Sequence, residues 1–280
     1  MADWGRIRSR GNVEDRRGFA PVAGGLSLTT VALIVAFNYF TGGDLGTLLQ
    51  HLGSAATTTT ETRRVTDQYD GEDSYERFAS QVLGSNNDIW RTTFDRLGEE
   101  YPEPRLVLFR TATESACGTA TSQVGPHYCP LDETIYIDET FFDELTSRLG
   151  AQGGDVAEAY VIAHEVGHHV QNKLGTLQQV QSAQQYDPDG GNEGSIRLEL
   201  QADCYAGIWA NALNDDAVFE PGEIREAMDA AAAVGDDRIQ ERVTGQVNPE
   251  TWTHGSSDQR VEWFTRGYQT GSLEACDTFR

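Results

Sequence analysis

Three of the six histidines in this chain, His164, His168 and His169, fall within VIAHEVGHHVQNKLG, residues 161–175, and Glu165 directly follows the first of them. His164 and His168 are four apart, so on a helix they stack on one face about one turn from each other. Two neutral imidazoles placed in that way can bind one zinc ion. Glu165 is too close along the backbone to join them comfortably as a ligand, but its carboxylate reaches a water on the metal. That is the chemistry behind the H-E-x-x-H pattern. His169 turns about a quarter of the way round the helix from His168 and should miss the metal. A solvated charged helix is the bland alternative. Against it stand the small and apolar flanks and Gly167, which a helix disfavours by roughly 1 kcal/mol unless another backbone comes close.

A third ligand should come from a second helix that crosses the first. RLELQADCYAGIWANAL, residues 197–213, offers an apolar face of Leu198, Ala202, Tyr205 and Trp209, with Glu199 and Asp203 four apart. Two like charges at that spacing destabilise an exposed helix, which favours a metal role. Glu199 is assigned as the zinc ligand, and Asp203 accepts the N–H of a ligand histidine, fixing its tautomer. The reversed assignment, with Asp203 on the metal, stays open. Further along, THGSSDQRVEWFTRGY, residues 253–268, sets His254 just before a helix capped by Ser256 or Ser257, with Arg260 in its first turns. His254 or Arg260 can face a tetrahedral intermediate where negative charge develops; the alternative for His254 is a capping or packing role. His127 and His51 are read as structural or solvated.

The metal helix is expected to begin near Asp155, with Glu158 completing a variant of the capping box, and to stop by Gly175 with Lys173 in its last turn. Val156, Tyr160 and Val161 recur at helical spacing. The whole chain of 280 residues, 38% hydrophobic and 23% charged, is globular in composition. Its net charge of −23 repels phosphate backbones and argues against nucleic acid as a partner.

The amino terminus reads differently. Residues 1–17 carry Arg6, Arg8, Arg10, Arg16 and Arg17 against Asp3, Glu14 and Asp15, and residues 18–43 contain no charged residue. The apolar part, residues 21–41, is about the ~20 residues needed for a transmembrane helix. A cleaved signal peptide, with a weak site near Gly53-Ser54-Ala55-Ala56, and a buried core helix are the rivals. The positive-inside rule keeps residues 1–20 in the cytoplasm as a tail and exports the rest, so the chain is expected in the cell membrane as a single-pass protein. Residues 42–70, rich in Gly, Thr and Ser, read as a linker, and residues 71–280 as one domain. All four cysteines lie in that domain. Cys117 and Cys129 bracket a short loop, while Cys204 and Cys276 are far apart; two disulfides in an oxidising compartment fit this usage, with free thiols as the alternative. No C-x-x-C spacing suggests a cysteine zinc site.

Taken together, HEVGHHVQ, ELQADCYAGIWA, VGDDR and THGSSDQR, with NVEDRR at the start and GPHYCP in the middle, resemble the bacterial neutral zinc metallopeptidases over nearly the whole chain. The H-E-x-x-H plus E-x-x-x-D pattern is similar to the gluzincins, and the T-H-x-x-x-x-x-R element resembles membrane-associated zinc peptidases. The resemblance implies an α+β, mainly helical, minimal gluzincin-type domain with a small sheet whose edge strand holds an extended peptide. TIYIDETFF, residues 134–142, alternates in part and is the candidate for that strand.

The expected activity is that of a membrane-anchored zinc endopeptidase acting on a peptide or protein. Zn2+ on His164, His168 and Glu199 keeps a fourth position for water, lowering its pKa toward about 7, and Glu165 is the general base. A zinc-stabilised scaffold or binding module without catalysis and a cell-wall amidase are the alternatives.

Overall fold

Asp73 opens the first long helix by accepting the Glu76 amide on its side chain; α1 then runs Ser74–Leu97 until Gly98, at φ 77°, closes it in the left-handed conformation. The computed structural model describes residues 1–18, 73–186, 191–220 and 222–280, which belong to one unit. The predicted transmembrane segment 21–41, the linker 42–70 and His51 lie outside the described residues. No described helix is long and apolar enough to cross a membrane.

The unit is α+β and mainly helical, with a four-stranded sheet in the order β1-β2-β6-β5. Strand β1 (Asn12–Asp15) lies parallel to β2 (Arg105–Phe109), which lies parallel to β6 (Thr134–Asp138); β5 (His127–Cys129) runs antiparallel to β6 at the sheet edge. A separate hairpin joins β3 (Ala112–Ser115) to β4 (Gly118–Thr121). Strand β6 is buried at every position, as a strand covered on both faces should be. This corrects the expectation for residues 134–142. The strand ends at Asp138, lies inside the sheet, and gives way to α2 (Phe141–Ser147), so the edge belongs to β5 instead.

Helices α3 (Asp155–Leu174), α4 (Thr176–Tyr186), α5 (Gly191–Asp215), α6 (Ile224–Ala233), α7 (Asp236–Thr244) and α8 (Ser257–Thr270) complete the unit. Helix α3 ends as expected, with Gly175 in the left-handed conformation after Lys173. It also begins at Asp155 as expected, but without the capping box: Gly154 is the cap residue and no side chain caps it, while Asp155 accepts from the Ala2 amide at 3.0 Å and the Trp4 indole at 2.7 Å. Helices α3 and α5 cross where Gly167 meets Ala202; a β-carbon on Gly167 would stand 2.9 Å from the Ala202 Cα. The glycine that costs helix propensity is thus what brings the two helices together.

Two further findings concern the leader and the cysteines. Residues 1–18, expected as a tail apart from the domain, supply the outer parallel strand and pack on α1, so the unit begins with the leader. Cys117 is bonded to Cys129 and Cys204 to Cys276, leaving no free cysteine among the described residues.

Candidate active site

Helical spacing brings His164 and His168 over one another, with ring centroids 4.8 Å apart, and the crossing at Gly167 carries Glu199 of α5 up to both. The Glu199 carboxylate lies 3.1 Å from His164 Nε2 and 3.3 Å from His168 Nε2. One donor atom from each of the three residues falls within 4.8 Å of the others.

Each histidine has its other nitrogen engaged. His164 Nδ1 meets Asp203 Oδ1 at 2.8 Å, so the buried aspartate holds the ring as the sequence suggested. His168 Nδ1 donates to Gln171 Oε1 at 2.9 Å. The orientation of that amide is set from behind, since Gln171 Nε2 donates to the Leu198 carbonyl at 2.7 Å. Both rings therefore turn Nε2 toward Glu199, and a bound metal would displace the proton there and take the electron pair, as the outer hydrogen bonds of metal ligands arrange.

Arg260 also reaches the cavity, with Nη2 3.7 Å from Glu199 Oε2. It is 3% exposed and lies behind the histidines, with Nε 2.8 Å from Asp203 Oδ2 and Nη2 3.0 Å from Oδ1. Tyr160, also fully enclosed, donates its hydroxyl to the same Asp203 oxygen that His164 uses. Paired in this way, Arg260 neutralises a buried carboxylate. Burial alone would raise Asp203, but Arg260 and His164 hold it below its ordinary range. Burial likewise opposes charging His164, yet Asp203 and Glu199 outweigh it and push the ring up to about 10. Burial would raise Glu199 too, but His168 and His164 keep it well below the usual carboxylate range. The site is built to favour positive charge at its centre.

Glu165, 6% exposed, has a buried Oε2 with no hydrogen-bond partner. An orphaned carboxylate oxygen is costly unless something is meant to meet it. His254 lies across the cleft with its side chain half exposed; its Nδ1 is 3.2 Å from Asp236 Oδ1. Asp236 Oδ2 accepts the amides of Thr253, His254 and Gly255, fixing the loop. His254, Glu165, both ligand-type histidines and Glu199 line one cavity of about 590 Å³, and the segment 124–128 leading into β5 forms another wall. His169 is turned away, as expected, and bonds to Tyr128 and the Pro102 carbonyl; burial pushes it down to about 4. His127 stacks on Tyr136 at 5.5 Å within the cavity wall.

Sequence reasoning missed three participants. Gln171 sits three residues after His168 and could have been suspected from helical spacing. Tyr160 read as one more apolar position on the helix. Asp236 lies 18 residues before His254, and no local signal joins them.

Two imidazoles and a carboxylate, oriented from behind and facing an unpartnered glutamate, make a site of the kind zinc hydrolases use. The chain belongs to the family described as "Putative neutral zinc metallopeptidase", which it matches over residues 2–279. YpfJ of Escherichia coli (strain K12) is 40% identical over 288 residues, covering 99% of this chain and 98% of that protein. Mb2605 of Mycobacterium bovis and Rv2575 of Mycobacterium tuberculosis are each 45% identical over 219 residues, covering 75% of this chain and 73% of theirs. No solved structure matches.

Proposed function

We propose that this chain is a zinc-dependent, gluzincin-type endopeptidase held at a membrane by its apolar segment, with His164, His168 and Glu199 as the zinc ligands. The observation that carries the reading is the convergence of those three donors to within 4.8 Å of one another beside the orphaned Glu165 oxygen. Zinc, when bound, supplies a Lewis acid that polarises a carbonyl and acidifies water. The protein does the rest. Glu165 takes the proton from the attacking water and passes it to the leaving amine. His254, with Nδ1 held 3.2 Å from Asp236 Oδ1, donates to the oxyanion through Nε2 in its doubly protonated form. The outer edge of β5 is unpaired among the described residues, and an extended peptide can add to it along the cavity wall. Membrane attachment rests on the uncharged composition of residues 18–43.

Glu165→Gln tests the reading, because it keeps the shape and removes the base. Zinc content and thermal stability should stay near wild type while cleavage of a broad peptide library falls at least ~10²-fold. His164→Ala should instead lose the metal. Undiminished cleavage by Glu165→Gln would overturn the catalytic assignment.

A further inference from the structure

The leader is built into the peptidase unit at every point along its length. Trp4 donates its indole N–H to Asp155, the first residue of the histidine-bearing helix α3, and its ring stacks on Trp209 of the glutamate-bearing helix α5 with centroids 6.5 Å apart. Gln81 of α1 donates to the Trp4 and Ile7 carbonyls, and the Gly11 amide donates to Ser80. Residues 12–15 pair in register with residues 105–108 of β2. At the end of the leader Arg17, its side chain 3% exposed, forms ion pairs with Asp15, Asp73 and Glu139.

The sequence of the domain is shaped to receive these residues. Gly84 stands in the interior of α1, where alanine would be favoured by roughly 1 kcal/mol. A β-carbon there would lie 2.6 Å from the Arg10 backbone nitrogen. The reciprocal fit occurs at Gly11, where a β-carbon would lie 2.4 Å from Leu83. Asp73 and Glu139, two of the partners of Arg17, lie beyond the uncharged segment. A leader separated from the domain would leave their partner missing and the β2 edge open.

We infer that residues 1–18 lie on the same side of the membrane as residues 73–280. A single crossing by residues 21–41 would put about 30 Å of hydrocarbon between β1 and β2, whereas ladder hydrogen bonds hold neighbouring strands about 5 Å apart. Residues 1–18 and 73–280 must therefore share one face of the bilayer. This replaces the arrangement with a cytoplasmic tail and an exported domain that the arginine bias suggests. That bias is weakened as a topology signal because Arg16 and Arg17 already serve as ion-pair partners within the folded unit. The inference rests on the membrane reading above only for the word membrane; sedimentation of the full chain with membranes tests that reading separately.

Asn12 and Arg105 are both exposed and paired across β1 and β2, so the double variant N12C/R105C in the full chain places two thiols in register on neighbouring strands. The native cysteines are bonded to one another and do not compete. In membranes from cells making this variant, a mild oxidant should join the two strands, seen as a linked pair of tryptic peptides by mass spectrometry. Each single variant should react with a membrane-impermeant maleimide applied to one and the same face. Labelling from opposite faces would overturn the inference, and so would two reachable thiols that fail to bond.

Discussion

Replacing Gln171 by Leu keeps most of the side-chain volume but removes the acceptor of the His168 Nδ1–H and the donor to the Leu198 carbonyl. Free to rotate or change tautomer, His168 no longer offers Nε2 alone. Loss of an outer partner of this kind costs metal sites about 10- to 100-fold in affinity. The Gln171→Leu protein should therefore release zinc to a chelator at correspondingly lower concentration, measured by competition titration. An affinity unchanged from wild type would show that packing alone holds the ring. Arg260 supports the site in a comparable way, by holding Asp203 behind His164. The sequence places it after His254 on a capped helix as a candidate oxyanion donor, and the length of its side chain also lets it reach back into the core and meet Asp203. A residue type and a spacing identify a helix face, but they do not say how far along that face a long side chain extends.

Gly167→Ala sets two effects of known size against each other at the level of the helices. Alanine favours the helix by roughly 1 kcal/mol. The added methyl would stand 2.9 Å from the Ala202 Cα, in backbone that cannot turn aside as a side chain can, and overpacking of this kind costs about 1–3 kcal/mol. Overpacking should win, giving a lower denaturation midpoint and weaker zinc binding, since separating α3 from α5 draws Glu199 off the histidines. A rise in the midpoint would mean that the crossing is looser than it is drawn. What was legible in the sequence follows the same division. The histidine helix, its glycine stop and the Glu199–Asp203 pair were readable because their signals repeat within a turn or two. The Ser256 cap, closed reciprocally by Gln259, is equally local. Strand β1 was not readable, because a parallel strand carries no turn to announce its partner and that partner lies some ninety residues on. Strand β6 was mistaken for the edge because its residues 134–138 look more strand-like than HYC, while edge position is decided by neighbours that no window of sequence contains.

Glu158 gives the molecule as a whole a predictable response to pH. Burial, and the nearby charges of Asp155, Asp143 and Glu139, push it up to about 7 from an ordinary value near 4.5. A carboxyl raised on folding contributes stability that is full below about pH 4.5, where both states are protonated, and is lost as pH rises through about 7. Glu158→Gln removes the titration. Allowing for its partial exposure, stability at pH 8 should rise by about 1–2 kcal/mol, while the difference from wild type should vanish near pH 4. Urea denaturation at the two pH values measures both, and an equal shift at each would assign the gain to something other than this proton.

The pairing of β1 with β2 also has a meaning in time. The leader is synthesised first, but the strand and helices that receive it come much later, with Trp209 and Phe219, both in contact with the Trp4 ring, among the last. The leader cannot complete its docking until Phe219 has been made, so a late step of folding joins an early part of the chain to one some two hundred residues on.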